Sequence, residues 1–423
     1  MKEPQDHIAP PPDCTGCALC ANVCPKDAIR MVWSGEGFSV PAVDEEACIR
    51  CGICVRKCIA GGGKYAEYDD DLARVRAFGA WNADVSLHRE SSSGGVFSAM
   101  AEEIFRRGGC VYGVVWQDKE TAVFRKAESM AETRPMRGSK YTQALPGYAY
   151  RDIRRELRRR PVLFVGTPCQ VNALKSGLEG SPANLLTVDI ACHGVPSRLA
   201  LQAYIRCAER ETGRVVERVD FRDNVEGWLN YHVTIHYTDG TSSSRRSSAD
   251  PFMALFLSDA ALNRSCLNCP FKHFPRQGDL SVGDYWGAQE LHPEWPLEEG
   301  VSSLFVNTEK GGAFLKSLGG SLCLQPEKAS DIYRGQKNTY IARSSLNPNR
   351  AATLAALRRK DITMDEALEC AERLCLAGPF TLKSSSMAAR ILKGIGRLRN
   401  SLAWRMRAMS RKCASLFTRP EDS

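Results

Sequence analysis

Eight cysteines near the start of the chain constrain this sequence more than any other feature. They form two copies of one spacing, in which three cysteines are separated by two residues each and a fourth follows after three more. The first copy is Cys14, Cys17, Cys20 and Cys24, and the second is Cys48, Cys51, Cys54 and Cys58. Thiols at such short, repeated intervals are typical ligands of metals or iron–sulfur clusters, whereas disulfide scaffolds are favoured only in secreted chains.

This duplicated spacing resembles that of bacterial two-cluster ferredoxins, in which the fourth cysteine of each copy binds the other cluster. The spacing therefore predicts one 4Fe–4S cluster on Cys14, Cys17, Cys20 and Cys58, and a second on Cys48, Cys51, Cys54 and Cys24. Pro25 follows the first copy as in ferredoxins, but Ile59 takes the place of proline after the second. Paired zinc knuckles are the alternative, although they have no use for eight cysteines in this rhythm.

The remaining composition is that of an ordinary globular protein with room for two or three domains in 423 residues. No apolar run approaches the ~18 residues of a membrane-spanning helix. The first residues also lack the basic and then apolar pattern of a secretory signal. We therefore expect a cytoplasmic protein whose thiols stay reduced.

The net charge of +8 comes from the C-terminal tail, because residues 381–423 hold ten Lys or Arg and only two acids. Apolar residues recur there at steps of three and four from Ile391 to Leu416, which predicts a basic amphipathic helix. Such a helix contacts an anionic membrane at its inner face, docks on an acidic partner or packs on its own domain. Nucleic-acid binding is not expected, because no base-reading motif accompanies the charge.

A Ser-rich and Gly-rich turn precedes a predicted helix that starts at Val96 and stops before Gly108. The turn contains Ser92, Ser93, Gly94 and Gly95. Hydroxyls and backbone N–H groups at a helix start suit a phosphate, so these four residues are candidate cofactor contacts. A simple helix cap with packing glycines is an equally good interpretation.

Two strand-to-helix units follow, and each places a cysteine just after a predicted parallel strand. Cys169 follows the strand at 161–166, and Cys192 follows the strand at 185–190. Ligands collect at this edge of open α/β sheets. Cys266 and Cys269 supply a further pair, and a third cluster, a zinc site and unrelated core cysteines all remain open. The other cysteines show no ligand spacing and are interpreted as buried thiols; they are Cys110, Cys207, Cys323, Cys370, Cys375 and Cys413.

From Tyr231 to Tyr237, hydrophobic or aromatic residues alternate with polar residues, and Asp239-Gly240 follows as a turn. This pattern predicts a hairpin, and so a mixed rather than a purely parallel sheet. His232 and His236 on this strand are expected to face solvent.

The order of motifs along the body resembles the beta-subunit family of coenzyme F420-reducing hydrogenases and formate dehydrogenases, over about residues 80–350. The motifs are Ser91-Ser92-Ser93-Gly94-Gly95, Arg137-Gly138-Ser139-Lys140-Tyr141, Gly166-Thr167-Pro168-Cys169-Gln170, Cys192-His193-Gly194, Phe221-Arg222-Asp223 with Gly227-Trp228, Cys266-x2-Cys269 and Gly283-Asp284-Tyr285-Trp286-Gly287. The resemblance implies a flavoprotein that holds FAD near an iron–sulfur cluster. It supports Cys169, Cys192, Cys266 and Cys269 as ligands of a third 4Fe–4S cluster, and the Ser–Gly turn with Lys140 as contacts to flavin phosphate.

The predicted fold class is α+β / α/β, in three parts. Residues 1–63 form a two-cluster 4Fe–4S ferredoxin fold, with Gly61-Gly62-Gly63 opening a linker. Residues 64–350 form a mixed-sheet α/β flavin and Fe–S domain, divided near 160, and residues 351–423 form a helical region with the basic tail. The predicted function is an oxidoreductase that passes electrons from ferredoxin, or a partner dehydrogenase or hydrogenase subunit, through the clusters to FAD and an organic acceptor. That acceptor is coenzyme F420 or an unsaturated substrate.

The alternative is a non-catalytic electron-transfer subunit that links partner proteins. His193 is the one candidate proton donor, and a histidine beside a cluster ligand equally serves as a hydrogen-bonding neighbour of the cluster.

Overall fold

The computed structural model describes residues 8, 11–60, 72–178, 180, 182–267, 269–340 and 347–372. The strands are β1 (Ile29–Trp33), β2 (Ser39–Val43), β3 (Arg76–Asn82), β4 (Cys110–Trp116), β5 (Ala122–Ala127), β6 (Val162–Gly166), β7 (Leu185–Ile190), β8 (Val216–Asp223), β9 (His232–Tyr237), β10 (Ser242–Arg246), β11 (Leu280–Asp284), β12 (Ser302–Val306) and β13 (Leu322–Lys328).

The helices connect these strands and cover the sheets. They are α1 (Leu19–Val23), α2 (Ile53–Lys57), α3 (Val85–Arg89), α4 (Val96–Arg106), α5 (Met130–Thr133), α6 (Ala149–Glu156), α7 (Pro168–Leu178), α8 (Arg198–Thr212), α9 (Pro251–Leu257), α10 (Arg264–Leu267), α11 (Ala288–Leu291), α12 (Glu309–Ser317), α13 (Ala329–Gly335), α14 (Lys337–Tyr340), α15 (Arg350–Leu357) and α16 (Met364–Glu372). None of these helices combines the length and apolar character needed to cross a membrane, as far as the described segments go.

The N-terminal part repeats one local structure, as its duplicated sequence predicts. A residue in the left-handed region, Ala18 at φ 59° or Gly52 at φ 68°, turns the chain into a one-turn helix, α1 or α2. The fourth cysteine of each copy then ends the helix in extended conformation. Strands β1 and β2 pair antiparallel between the two copies.

The body is built on one large mixed sheet. Among the described residues its strand order is β13-β3-β12-β11-β7-β6-β4-β5. Strands β4, β6, β7 and β11 run parallel, while β3, β12, β13 and β5 add antiparallel pairs. The predicted parallel pair β6–β7 is confirmed. Both strands are apolar and largely buried, which suits a sheet covered by helices on its faces.

The hairpin at β9–β10 forms as predicted but does not belong to the large sheet. It pairs with β8 in a separate antiparallel sheet of order β10-β9-β8 among the described residues. This small sheet packs with α8 and α9 around one apolar cluster, because its buried face carries Val233, Ile235 and Tyr237. The same cluster takes in α15 and α16.

Two expectations from the sequence were wrong in detail. His232 does not face solvent: its residue is 9% exposed and its Nδ1 lies 2.8 Å from Ser244 Oγ. Among the unspaced cysteines, Cys110 and Cys207 are buried, but Cys323 and Cys370 are only half-buried. Cys375, Cys413, the glycine linker at 61–63 and the basic amphipathic helix lie outside the described residues.

Candidate functional site

The eight N-terminal cysteines fall into two spatial groups. The negative charge of Cys58 helps to raise the pKa of Cys14, Cys17 and Cys20, so these four sulfurs lie within electrostatic range of one another. For all three thiols, burial is the main cause of the raised pKa, and for Cys17 the value reaches about 12. We call this group the inner set.

The other four cysteines line one small cavity, which also touches Lys26 and Ile49. This outer set consists of Cys24, Cys48, Cys51 and Cys54. It reaches the surface, because Cys51 is exposed and Ile49 is 57% exposed. The structure thus gathers the cysteines into the same two groups of four that the spacing predicts.

The N-terminal domain shares a hydrophobic core with the body. Leu19 of α1 and Ile59 belong to the same buried cluster as Tyr150, Phe164 and Leu174. We call this shared cluster between the N-terminal part and the body the seam. Because the seam is apolar, it holds the inner set against the body.

Arg151 of α6 ties the two parts together at the polar edge of this seam. Its guanidinium donates to the backbone carbonyls of Ala21 (2.6 Å), Asn22 (2.7 Å) and Cys24 (2.9 Å), and it also pairs with Asp27. The backbone that presents Cys24 to the outer set is therefore fixed by the body.

A further group of thiols lies at the carboxyl edge of the large sheet. Cys169 is in the first turn of α7 after β6, and Cys192 follows β7 by two residues. Cys266 lies on α10, and Cys269 follows it. Burial raises the pKa of Cys169, Cys192 and Cys266, and the neighbouring thiols raise it further, to about 12 for Cys266. The four sulfurs are therefore neighbours, and we call them the body set.

Local hydrogen bonds around the body set favour thiolate. The N–H of Val195 donates to Cys266 Sγ at 3.3 Å, and Thr167 Oγ1 lies 3.2 Å from Cys169 Sγ. The charge of Lys272 also acts to lower the pKa of Cys192. Such interactions stabilise the anionic sulfur that binds iron.

Within the described residues, no three His, Cys, Asp or Glu side chains converge where a single metal ion would bind. A 4Fe–4S cluster needs a different arrangement, since each of its irons takes one thiolate and the four sulfurs stand around the cluster.

The body set lies next to the inner set. Cys17, Cys169 and Cys269 all pack against the buried cluster that spans the seam. Asn263, which immediately precedes α10, donates from Nδ2 to the carbonyl of Cys14 at 3.2 Å. The outer, inner and body sets therefore follow one another from the surface to the sheet.

The Ser–Gly turn reaches the same sheet edge as the body set. Strand β3 runs parallel to β11 across the intervening β12, so the turn after β3 lies on the side where β6, β7 and β11 end. Several of its polar groups are already engaged: Ser93 Oγ donates to Val301 O at 3.1 Å, and Gly94 N–H donates to Ser302 Oγ at 3.0 Å. A Cβ at Gly94 would lie 2.2 Å from Ala80 O, so this glycine is needed for close packing.

A charged and aromatic network beside the turn was not assigned a role from the sequence. Arg222 forms a two-pronged ion pair with Asp284 at 2.7 and 2.9 Å and also donates to Ser92 O at 3.1 Å. Trp228 Nε1 donates to Asp284 at 2.8 Å, and its ring stacks on Trp286 at 4.8 Å. These residues belong to two of the motifs noted in the sequence, Phe221-Arg222-Asp223 and Gly283-Asp284-Tyr285-Trp286-Gly287. The motifs alone did not show that the two segments contact each other.

Two of the predicted site residues, Lys140 and His193, already have polar partners within the protein. Lys140 Nζ donates to the carbonyls of Pro135, Arg137 and Gly138 at 2.8–3.0 Å. Burial lowers the pKa of Lys140 to about 7, and the negative charge of Asp220 acts against that effect. His193 Nε2 lies 2.7 Å from Asp259 Oδ1, so its ring is oriented by a carboxylate beside the body set.

Both parts of the chain match known protein families. Residues 159–331 match the family described as the C terminus of the coenzyme F420 hydrogenase/dehydrogenase beta subunit, and residues 13–61 match the 4Fe-4S dicluster domain. No curated protein matches the chain. Among solved structures, it is similar to a chain of the F420-reducing NiFe hydrogenase complex from Methanosarcina barkeri, solved in a study of xenon derivatization. Identity is 15%, coverage is 73% of this chain and 94% of that chain, and the TM-score is 0.45. The two family matches confirm the resemblance drawn from the motifs.

Proposed function

We propose that this chain, a member of the coenzyme F420 hydrogenase/dehydrogenase beta-subunit family over residues 159–331 with a 4Fe-4S dicluster domain over residues 13–61, is an iron–sulfur flavoprotein oxidoreductase. It takes electrons from a ferredoxin or a partner subunit and passes them through its clusters to FAD and an organic acceptor. Coenzyme F420 and an unsaturated compound are the two acceptor classes that we favour.

The observation that carries this proposal is the shared buried cluster at the seam between the two parts of the chain. Cys17 of the inner set and Cys169 and Cys269 of the body set all pack against this one buried cluster. A ferredoxin domain that only served a distant partner would have no need to present a ligand to the body. The surface position of Cys51 supports electron entry at the outer set.

The body set fits a 4Fe–4S cluster in number and in chemistry. Four thiols meet the one-thiolate-per-iron requirement, and the Val195 N–H and the charge of Lys272 compensate the negative charge there. We assign Cys169, Cys192, Cys266 and Cys269 as the ligands of this third cluster.

For FAD, the surroundings of the Ser–Gly turn supply the fitting groups. Arg222 Nε and Asn224 Oδ1 are buried without a hydrogen-bond partner among the described residues, although other atoms of the same side chains hold the carbonyls of Ser92 and Ser91. Polar atoms left in this state are suited to a polar ligand. We assign Ser92, Ser93 and Gly95 as its nearest contacts, with Gly94 shaping the turn. Bound FAD would supply the pairing of single electrons into a two-electron reduction.

Iron and flavin content per chain, measured on protein purified without oxygen, tests the proposal. We expect one flavin and about twelve irons, the number that three cubanes require. About eight irons and no flavin would leave the non-catalytic electron-transfer subunit as the better description.

A pair of variants separates the third cluster from the other two. Cys169→Ala should lower the iron content by about four per chain, because it removes a ligand of the body set. Cys110→Ala is the matched control, since Cys110 is a fully buried thiol on β4 outside all three sets. Equal iron content in the two variants would overturn the ligand assignment.

A further inference from the structure

A groove runs along the outer edge of the large sheet, between β5 and α6. Its volume is about 640 Å³, which lies within the range of ligand-binding clefts. Residues Phe124, Arg125 and Lys126 of β5 line one side, and Tyr148 with the first turns of α6 lines the other. In the described part of the chain β5 is the last strand of this sheet, so no further strand covers its outer edge.

Part of the β5 edge carries main-chain groups that are free to pair. The Phe124 N–H donates to Leu145 O at 3.1 Å, and the Leu145 N–H donates to Ala122 O at 2.9 Å. Because main-chain groups alternate in direction along a strand, Ala122, Phe124 and Lys126 all point theirs away from β4. The described residues supply no main-chain partner on this side for the Phe124 C=O or for the Lys126 N–H and C=O. An extended segment of another protein can add to such an edge as a further strand.

The side chains around the groove carry an excess of positive charge. Four basic and two acidic side chains line it, namely Arg125, Lys126, Arg155 and Arg159 against Asp152 and Glu156. Both acids are already paired, Asp152 with Arg155 and Glu156 with Lys126. Arg125 and Arg159 are exposed and form no ion pair within the described residues. The groove therefore favours an acidic segment over the basic tail at residues 381–423 or a second copy of itself, since both of these carry like charge.

The groove adjoins the backbone that presents Cys24 to the outer set. Tyr148 lines the groove, and the Arg151 guanidinium lies over its ring, 4.7 Å from the centroid. The same guanidinium donates to Cys24 O at 2.9 Å. A protein bound in the groove would therefore lie beside the outer set, in which Cys51 is exposed.

We propose that this groove docks the electron donor, through an acidic extended segment of the donor protein that adds to the edge of β5 as a further strand. The carboxylates of that segment pair with Arg125 and Arg159. The inference rests on the proposed function only for the identity of the partner as an electron donor. Docking brings the donor to the outer set, where one electron passes from the reduced donor to the oxidised outer cluster.

A labelled peptide tests the docking on the full chain. The probe is a blocked peptide of alternating valine and glutamate with a fluorophore at one end, and binding is followed by fluorescence anisotropy. We expect saturable binding that weakens as the salt concentration rises. The same peptide with every backbone nitrogen methylated should not bind, because it has no N–H to donate to the strand edge. Arg125→Glu combined with Arg159→Glu should weaken binding by about tenfold.

The matched control is Arg158→Glu combined with Arg334→Glu, which changes the net charge by the same amount. Both arginines are exposed, and neither lines the groove, although Arg158 is next to Arg159 in the chain. Absence of saturable binding to the wild type, equal binding of the methylated peptide, or an equal loss in the two double variants would overturn the proposal. So would a dimer in sedimentation that Arg125→Glu with Arg159→Glu abolishes, since the groove would then belong to a second copy of the chain.

Competition with a donor separates this inference from the proposed function. A reduced, acidic plant-type ferredoxin should reduce the N-terminal clusters in stopped-flow absorbance, and saturating peptide should slow that reaction. An unchanged rate with the peptide bound would overturn the assignment of the groove to the donor. Failure of the ferredoxin to reduce wild-type chain with full iron content would count against the proposed function instead, and the peptide titration would still decide the docking site.

Discussion

Replacing Asp189 by asparagine should destabilise the protein by about 3–5 kcal/mol, the usual cost of breaking a buried ion pair from one side. Asp189 lies near the end of β7, three residues before Cys192, and both its side chain and that of Arg276 are 0% exposed. Its carboxylate accepts from Arg276 at 2.7 and 3.1 Å, from Gly278 N–H at 2.7 Å and from Ser281 Oγ at 2.9 Å. Burial alone would lower the pKa of Arg276, and Asp189 outweighs it, so the guanidinium stays charged.

An asparagine at this position keeps the shape and part of the hydrogen bonding but leaves the Arg276 charge buried and uncompensated. The matched control is Asp220→Asn, whose partners lie at 3.0 and 3.3 Å in pairs that are 25–44% exposed. We expect the control to cost at most about 1 kcal/mol. Replacing both members of the buried pair, as Asp189→Leu with Arg276→Met, should recover part of the loss, because no charge is then stranded although Gly278 N–H and Ser281 Oγ lose their acceptor.

The assay is urea unfolding of the full chain followed by tryptophan fluorescence, with iron content measured on the same samples. The Asp189→Asn midpoint should fall well below that of the control at an unchanged slope. A loss within about 1 kcal/mol of the Asp220→Asn value would refute the reasoning, since it would mean that the Arg276 charge is solvated or neutral.

Substitutions at four other positions in the chain should also have measurable effects. Cys24→Ala should remove the outer cluster and Cys58→Ala the inner one, each lowering iron by about four per chain; loss of the same EPR signal in both would contradict the partition. Gly94→Ala should cost about 1–3 kcal/mol by overpacking and should weaken flavin retention, while Gly320→Ala, with open space around its Cβ, should melt like the wild type. The Arg160 guanidinium lowers the pKa of Glu156 from 4.5 to about 2. The Glu156–Arg160 pair therefore stabilises the fold above about pH 5, and this stabilisation is lost as the pH falls toward 2. Glu156→Gln should destabilise the protein by about 1 kcal/mol or less, and this difference from the wild type should vanish near pH 2 in an acid titration.

Short-range features of the fold could be predicted because they depend on local sequence. The helix from Val96 to Arg106, the strands β6 and β7 and the hairpin at β9–β10 all form where periodicity and turn residues place them. The sheet to which a strand belongs could not be predicted in the same way. The hairpin joins β8 in a separate sheet because its apolar face packs against α8 and α9, which depends on residues far along the chain.

The residues of the candidate site also fall into those predictable from local sequence and those that meet only in the folded chain. Fixed spacing within each motif predicts that its first three cysteines lie together, since a few residues of backbone limit where each sulfur can reach. The pairing of Arg222 with Asp284 had no such local signature. Arg222 and Asp284 are separated by 62 positions and meet only because β8 and β11 bring them to one side of the Ser–Gly turn.

The sequence by itself determined the cysteine spacing at residues 13–61 that matches the 4Fe-4S dicluster domain, and the motifs at residues 159–331 that match the C terminus of the coenzyme F420 hydrogenase/dehydrogenase beta subunit. Both matches rest on the spacing of neighbouring residues and on the order of motifs. Only the tertiary structure decided which set of thiols faces solvent, which one lies against the body, and that Arg222 and Asn224 hold the carbonyls of the Ser–Gly turn. The physical reason is that burial and proximity across a domain seam arise from packing of distant segments, and no spacing along the chain encodes them.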